Sequence, residues 1–206
     1  MPARIVQAYA SGAVRRIVAH ENCLAWHKRT AAANRAEGQT SFADTTFTTS
    51  WKTSFGDETV QGRYYGPGHT SGDAVYHFEK ANVVHLGDLL FNRAHPNIDR
   101  AAGAVTANWI TVLDKVAKAH GADTIFIAGH AKDNAARCTR ADVLHFRDYL
   151  TACMDTARRA LAAGQSKADL QSTPPLKGFE DTASPNARLT LGFVLGLCYD
   201  ELSEKK

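Results

Sequence analysis

Two residues in this chain stand where a hairpin could bring metal-holding side chains together. His69 sits in Gly66-Pro67-Gly68-His69-Thr70-Ser71-Gly72-Asp73, and Asp88 follows Gly87 at the end of a β-like run. Imidazole nitrogen and carboxylate oxygen both suit zinc. Each stands where apolar, extended sequence gives way to glycine, so backbones can approach closely and a side chain can be presented at a sheet rim. Thr70 and Asp73 lie beside His69 and read as loop-fixing, outer-layer partners of the ligands: short side chains that hydrogen-bond a ligand or a loop amide hold an imidazole in place. No Gly-x-Ser-x-Gly and no Cys–His arrangement supplies a side-chain nucleophile.

The elements that must position these residues follow from pattern. Ala74 to Phe78 and Asn82 to Leu86 are rich in Val, Tyr and Phe and flank a polar turn, which predicts a hairpin whose open ends bring His69 and Asp88 to one rim. Thr45 to Phe55 and Thr59 to Tyr65, around Gly56-Asp57, predict a second hairpin. Thr124 to Ala128 is an apolar strand leading to His130. Ala101 to His120 carries Val105, Trp109, Val112, Leu113 and Val116 at helical spacing and meets Gly121. Helices are also expected over Ile5 to Ala10, Glu21 to Arg35, Arg140 to Ala163 and Asn186 to Ser203. A short strand is expected over Val14 to Ala19, and residues 165–185, with Pro174-Pro175, form a surface loop. Periodicity alone gives a mixed α and β chain of one domain, 1–206.

GHTSGD, then a strand, a turn and NVVHLGDLLF, resembles the third and fourth metal-binding motifs of the metallo-β-lactamase superfamily, and DTIFIAGH resembles the fifth. The motifs come in the family's order, and the likeness runs from about Arg16 to about Leu150. It implies an αββα sandwich of the α/β class. It also implies two zinc ions: His69 would complete the first site, Asp88 would bridge both metals, and His130 would complete the second. The activity implied is hydrolysis of an ester, thioester, lactone or related bond in a small-molecule substrate by a metal-bound hydroxide. Trp51, Phe91 and His95 are candidates for the substrate pocket wall. His20, in AHEN, and His85 read as structural.

One family motif, His-x-His-x-Asp-His, is absent. In the family it supplies two histidines to the first metal and an Asp and a His to the second. The expectation is therefore a sandwich truncated at the N-terminus, with half its ligands missing and little activity in this chain alone. The alternative is a non-catalytic remnant or binding module of the same fold.

The formal charge of +3 is spread without a basic run, so no nucleic-acid partner is expected. No apolar run approaches the ~20 residues that span a membrane. No signal peptide is visible, which gives a cytoplasmic default, or a periplasmic or secreted one if the true start lies upstream. The four cysteines form no Cys-x-x-Cys pair.

Overall fold

The computed structural model describes residues 16–39 and 41–204. The helix expected over Ile5 to Ala10 lies outside these residues, as do Val14 and Arg15 of the first expected strand.

A six-stranded sheet forms the centre. Its strands are β3 (Ser50–Phe55), β4 (Glu58–Arg63), β5 (Val75–Phe78), β6 (Val83–Asn92), β7 (Ile125–Ala131) and β8 (Arg137–Cys138), adjacent in that order. All neighbours are antiparallel except β6 and β7. That parallel pair needs a crossover, and helix α2 (Thr106–Ala119) supplies it. A smaller pair, β1 (Val18–His20) and β2 (Thr45–Phe47), runs parallel and is joined by α1 (Glu21–Ala33).

The apolar periodicity of α2 buries Trp109, Val112, Leu113, Val116 and Ala117. They pack with Val84, Leu86, Leu90, Phe91 and Phe126 of the sheet, and with Phe146, Leu150 and Cys153 of α3 (Arg140–Ala162). Helix α5 (Leu191–Ser203) adds Val194, Leu195 and Cys198 to the same core. Burying one such Leu, Val or Phe side chain contributes about 1.5–3 kcal/mol, so this layer dominates the stability of the fold.

The other face of the sheet carries the small pair. The Phe47 ring lies close over Gly62 and Tyr76, the Tyr76 hydroxyl donates to the Val18 carbonyl at 3.4 Å, and the His20 ring stacks on Tyr64 at 3.7 Å between centroids. The layers are thus helices, six-stranded sheet, two-stranded pair, and α1, which is the expected α/β sandwich order. The second sheet has two strands among the described residues.

Several expected boundaries move, each for a local reason. Thr45–Phe47 leaves the predicted hairpin and pairs with β1, because the chain bends at Thr48-Thr49. The bend is held by His20 Nε2 against the Thr48 carbonyl at 2.8 Å. The helix predicted from Ala101 starts at Thr106: Arg100–Ala102 is a tight 3₁₀ turn capped by Asp99, and Gly103 at φ 87° breaks it from α2. The terminal helix starts at Leu191, capped by Thr190, rather than at Asn186. The 165–185 loop contains one short helix, α4 (Lys167–Gln171), with Ser166 as its cap. The strand leading to His130 is longer than expected and includes it. Among the described residues, no helix is long and apolar enough to cross a membrane.

Candidate metal centre

Parallel strands end at the same rim, so the C-terminal halves of β6 and β7 bring Asp88 and His130 together. Asp88 Oδ1 lies 3.4 Å from His130 Nε2, and both side chains are about half exposed (43% and 53%). A bulge aims the carboxylate there: the β6–β7 register shifts on both sides of Gly87, which sits at φ 53°. An extra residue of this kind re-aims the side chain that follows it. Gly129 completes the approach. A Cβ there would collide with the Asp88 carboxylate and lie 2.6 Å from the Gly87 carbonyl carbon.

His69 is presented by the loop between β4 and β5, and many bonds pin that loop. Asp73 Oδ2 accepts from the Thr70 amide at 2.6 Å, and Asp73 Oδ1 accepts from the Thr70 hydroxyl at 2.8 Å. Tyr64 and Asn22 side chains both donate to the Ser71 carbonyl at 2.9 Å. Asn108 of α2 donates to the Pro67 carbonyl at 2.7 Å. The His69 ring is buried edge-on against Trp109, 5.6 Å between centroids. Its Nδ1 stands 3.9 Å from Asp73 Oδ1. Thr70 and Asp73 therefore fix the histidine loop to itself.

Phe91 is the platform between the two histidines. It stacks on His130 at 4.8 Å and lies tilted against His69 at 5.9 Å. Its ring is buried, so it supports the imidazoles from below. Trp109 backs the same cluster and donates its indole N–H to the Leu89 carbonyl at 2.9 Å.

An open cleft of about 430 Å³ has His69, Asp73 and Asp88 in its walls, with His20, Cys23 and Trp26 opposite. His130 is not in the wall and meets the cleft at Asp88. The three residues expected to wall a substrate pocket, Trp51, Phe91 and His95, are not in the wall of this cleft, Phe91 being buried beneath the histidines. The buried His95 ring binds the Tyr149 hydroxyl at 2.8 Å and borders a separate small cavity with Thr173 and Phe179. Trp51 stands opposite Gly62 on the β3–β4 pair and is not a wall of the cleft. His20 is structural: it caps α1, accepting from the Asn22 amide at Nδ1. His85 is an exposed strand residue.

The central run of this architecture has known counterparts. The family model of the metallo-beta-lactamase superfamily matches residues 9–135. The chain belongs to the metallo-beta-lactamase superfamily. Among solved structures, a metallo-beta-lactamase from Pontibacter korlensis superposes with a TM-score of 0.56 at 17% identity, covering 71% of this chain and 62% of that one. The BLEG-1 B3 metallo-beta-lactamase gives 0.56 at 19% identity, with 72% and 71% covered. The inverting sec-alkylsulfatase Pisa1 from Pseudomonas sp. gives 0.59 at 13% identity, covering 78% of this chain and 26% of that one. The chain thus spans under two thirds of the Pontibacter enzyme and about a quarter of the sulfatase. No curated protein matches it.

Members of this superfamily generally bind metal ions, often zinc. The donors described here do not fit a closed zinc site. Asp88 and His130 form a pair, while His69 turns toward Asp73. Among the described residues, no three His, Cys, Asp or Glu side chains converge closely enough to hold a metal ion. A zinc site takes three or four protein ligands. The hairpin reading expected Asp88 to meet His69, and the Asp88–His130 pair comes from the β6–β7 register and the bulge at Gly87. Phe91 as a shared platform had no signal beyond its neighbourhood.

Proposed function

We propose that this chain carries part of the metal-ligand set of a superfamily hydrolase acting on an ester, thioester, lactone or related bond of a small molecule. Asp88 and His130 are the ligands in place, and His69 is held in reserve against Asp73. We further propose that the chain by itself does not turn substrate over. The observation that carries this reading is the 3.4 Å approach of Asp88 to His130 at the carboxyl rim of a parallel pair. Both side chains are about half exposed, and Gly129 allows the approach while also letting the β6 and β7 backbones close on each other. Ligand sites of α/β sheets gather at such rims.

Two donors hold a metal weakly, and hydrolysis of the family type needs a more complete set. The same shortfall favours the second reading, a non-catalytic module of this fold. Calorimetric titration of the purified chain with Zn²⁺ tests the ligand assignment. Weak binding is expected, and Asp88→Ala and His130→Ala should each abolish it. Binding indifferent to both substitutions would sink the assignment. Parallel assays with an ester, a thioester and a lactone should stay at background with and without Zn²⁺. Metal-dependent turnover well above background, lost in Asp88→Ala, would overturn the claim of inactivity.

A further inference from the structure

A second cluster of chemically able side chains lies under the end of α2, away from Asp88. The β4–β5 register sets Gln61 opposite His77 and Arg63 opposite Val75. Residues two apart on a strand share a face, so these four stand together, on the side of the sheet where Val75 joins the helical core. The C-terminal end of α2 closes over them with Ala119 and His120. The half-open pocket measures about 150 Å³, and its polar walls are Gln61, Arg63, Tyr65, His77 and His120. It shares no residue with the cleft at His69 and Asp88.

The charge of those walls is one-sided. Guanidinium, imidazole N–H, amide and phenol can all donate, and no carboxylate among the described residues lines the pocket. The two imidazoles meet edge to face, 4.7 Å between centroids. The Arg63 guanidinium lies over the Tyr65 ring at 5.9 Å. His77 Nε2 is buried with no hydrogen-bond partner among the described residues, and a buried polar atom left unpaired is costly and rare. A fixed positive charge beside surplus donors suits an oxyanion, and the same charge repels a metal cation.

We propose that this cavity binds a tetrahedral oxyanion, phosphate or the phosphoryl group of a monoester, through Arg63, His77 and His120. Its volume takes a phosphoryl group and leaves the rest of a monoester outside. The charged and titratable groups facing the ligand are these three, with Tyr65 beside them. Burial holds His120 below the ordinary histidine range, and His77 and Arg63 push it the same way. The ring is therefore neutral near pH 7, and a bound anion restores its proton. Affinity accordingly rises as pH falls toward about 6. This inference stands independently of the metal-ligand reading.

The test is an NMR titration of the full chain with sodium phosphate, following the histidine ring signals, against sodium chloride at matched ionic strength. Saturable shifts confined to His77 and His120 are expected, with tighter binding at about pH 6 than at about pH 8. Arg63→Gln, an exposed position, should weaken phosphate about tenfold, and His120→Gln should flatten the pH dependence. Phenyl phosphate in a parallel titration separates the sources: tighter binding than phosphate assigns a monoester, equal or weaker binding the free ion. Shifts reproduced by chloride, an unchanged affinity in Arg63→Gln, or saturation of the two rings by ZnCl₂ instead of phosphate would overturn the proposal.

Discussion

Gly129 shows how much one hydrogen atom in place of a side chain can decide. The position is open to solvent on one side, yet a Cβ would press into both the Asp88 carboxylate and the Gly87 backbone. The carboxylate could swing away; the backbone could not without parting β6 from β7. Gly129→Ala should therefore destabilise the chain by about 1–3 kcal/mol, the usual range for overpacking. It should also remove whatever Zn²⁺ binding the wild type shows. Urea unfolding reads the first effect and calorimetry the second. A variant as stable as the wild type with its Zn²⁺ binding intact would show that the close approach is not required.

At the scale of elements, the start of α2 depends on a residue 95 positions away. Its N-cap position, Val105, has no side chain able to accept a hydrogen bond. Glu201 of α5 does the capping instead: Oε2 accepts from the Thr106 amide at 2.8 Å and Oε1 from the Ala107 amide at 3.2 Å. The carboxylate is buried, and Arg100 stands 3.7 Å from it. A negative group at a helix N-terminus satisfies free amides and meets the positive end of the helix dipole. Glu201→Ala should cost about 2–3 kcal/mol, since it removes a charge-assisted acceptor from buried donors. Glu201→Gln should cost less, because its amide oxygen can still accept. Equal losses in the two variants, measured by urea midpoint, would argue that packing rather than capping holds the helix. The consequence reaches the site, because α2 carries Trp109 behind His69 and Asn108 beneath its loop.

For the whole molecule, histidines that the fold takes out of water contribute to the pH dependence of stability near neutrality. Burial lowers the pKa of His95, of His120 and of His145. Each folded pKa lies below the unfolded value of about 6.5. Between those two values the unfolded chain binds more protons than the folded one, so stability rises with pH there. The contribution is present above about pH 6.5 and is lost as pH falls through the depressed folded values. The urea midpoint should be lower at about pH 5.5 than at about pH 7.5, and His95→Gln, at the most buried of the three, should shrink the difference. A midpoint that is flat or rises across that interval would contradict the assignment. Added phosphate, by restoring the proton on His120, should reduce the loss.

The residues carried a good deal through their resemblance to a known family. His69, Asp88 and His130 stood at the ends of extended runs beside glycines, and the order of their motifs pointed to the right superfamily and sandwich. Local chemistry explains that success: a loop fixed by Asp73 and Thr70, or a helix with apolar residues every three or four positions, is written in adjacent positions. What adjacent positions could not decide was which distant partner each element meets. Thr45–Phe47 alternates like the rest of its predicted hairpin, yet it joins β1, because His20 takes the Thr48 carbonyl and Phe47 finds its burial on Gly62 and Tyr76. His95 follows the metal motif closely in sequence, but its ring turns to Tyr149, 54 residues further on. The union of Asp88 with His130, the turning of His69 toward Asp73, and the gathering of Arg63, His77 and His120 all rest on strand register and helix placement. Those are set by the burial of the whole core, and no single segment contains that information.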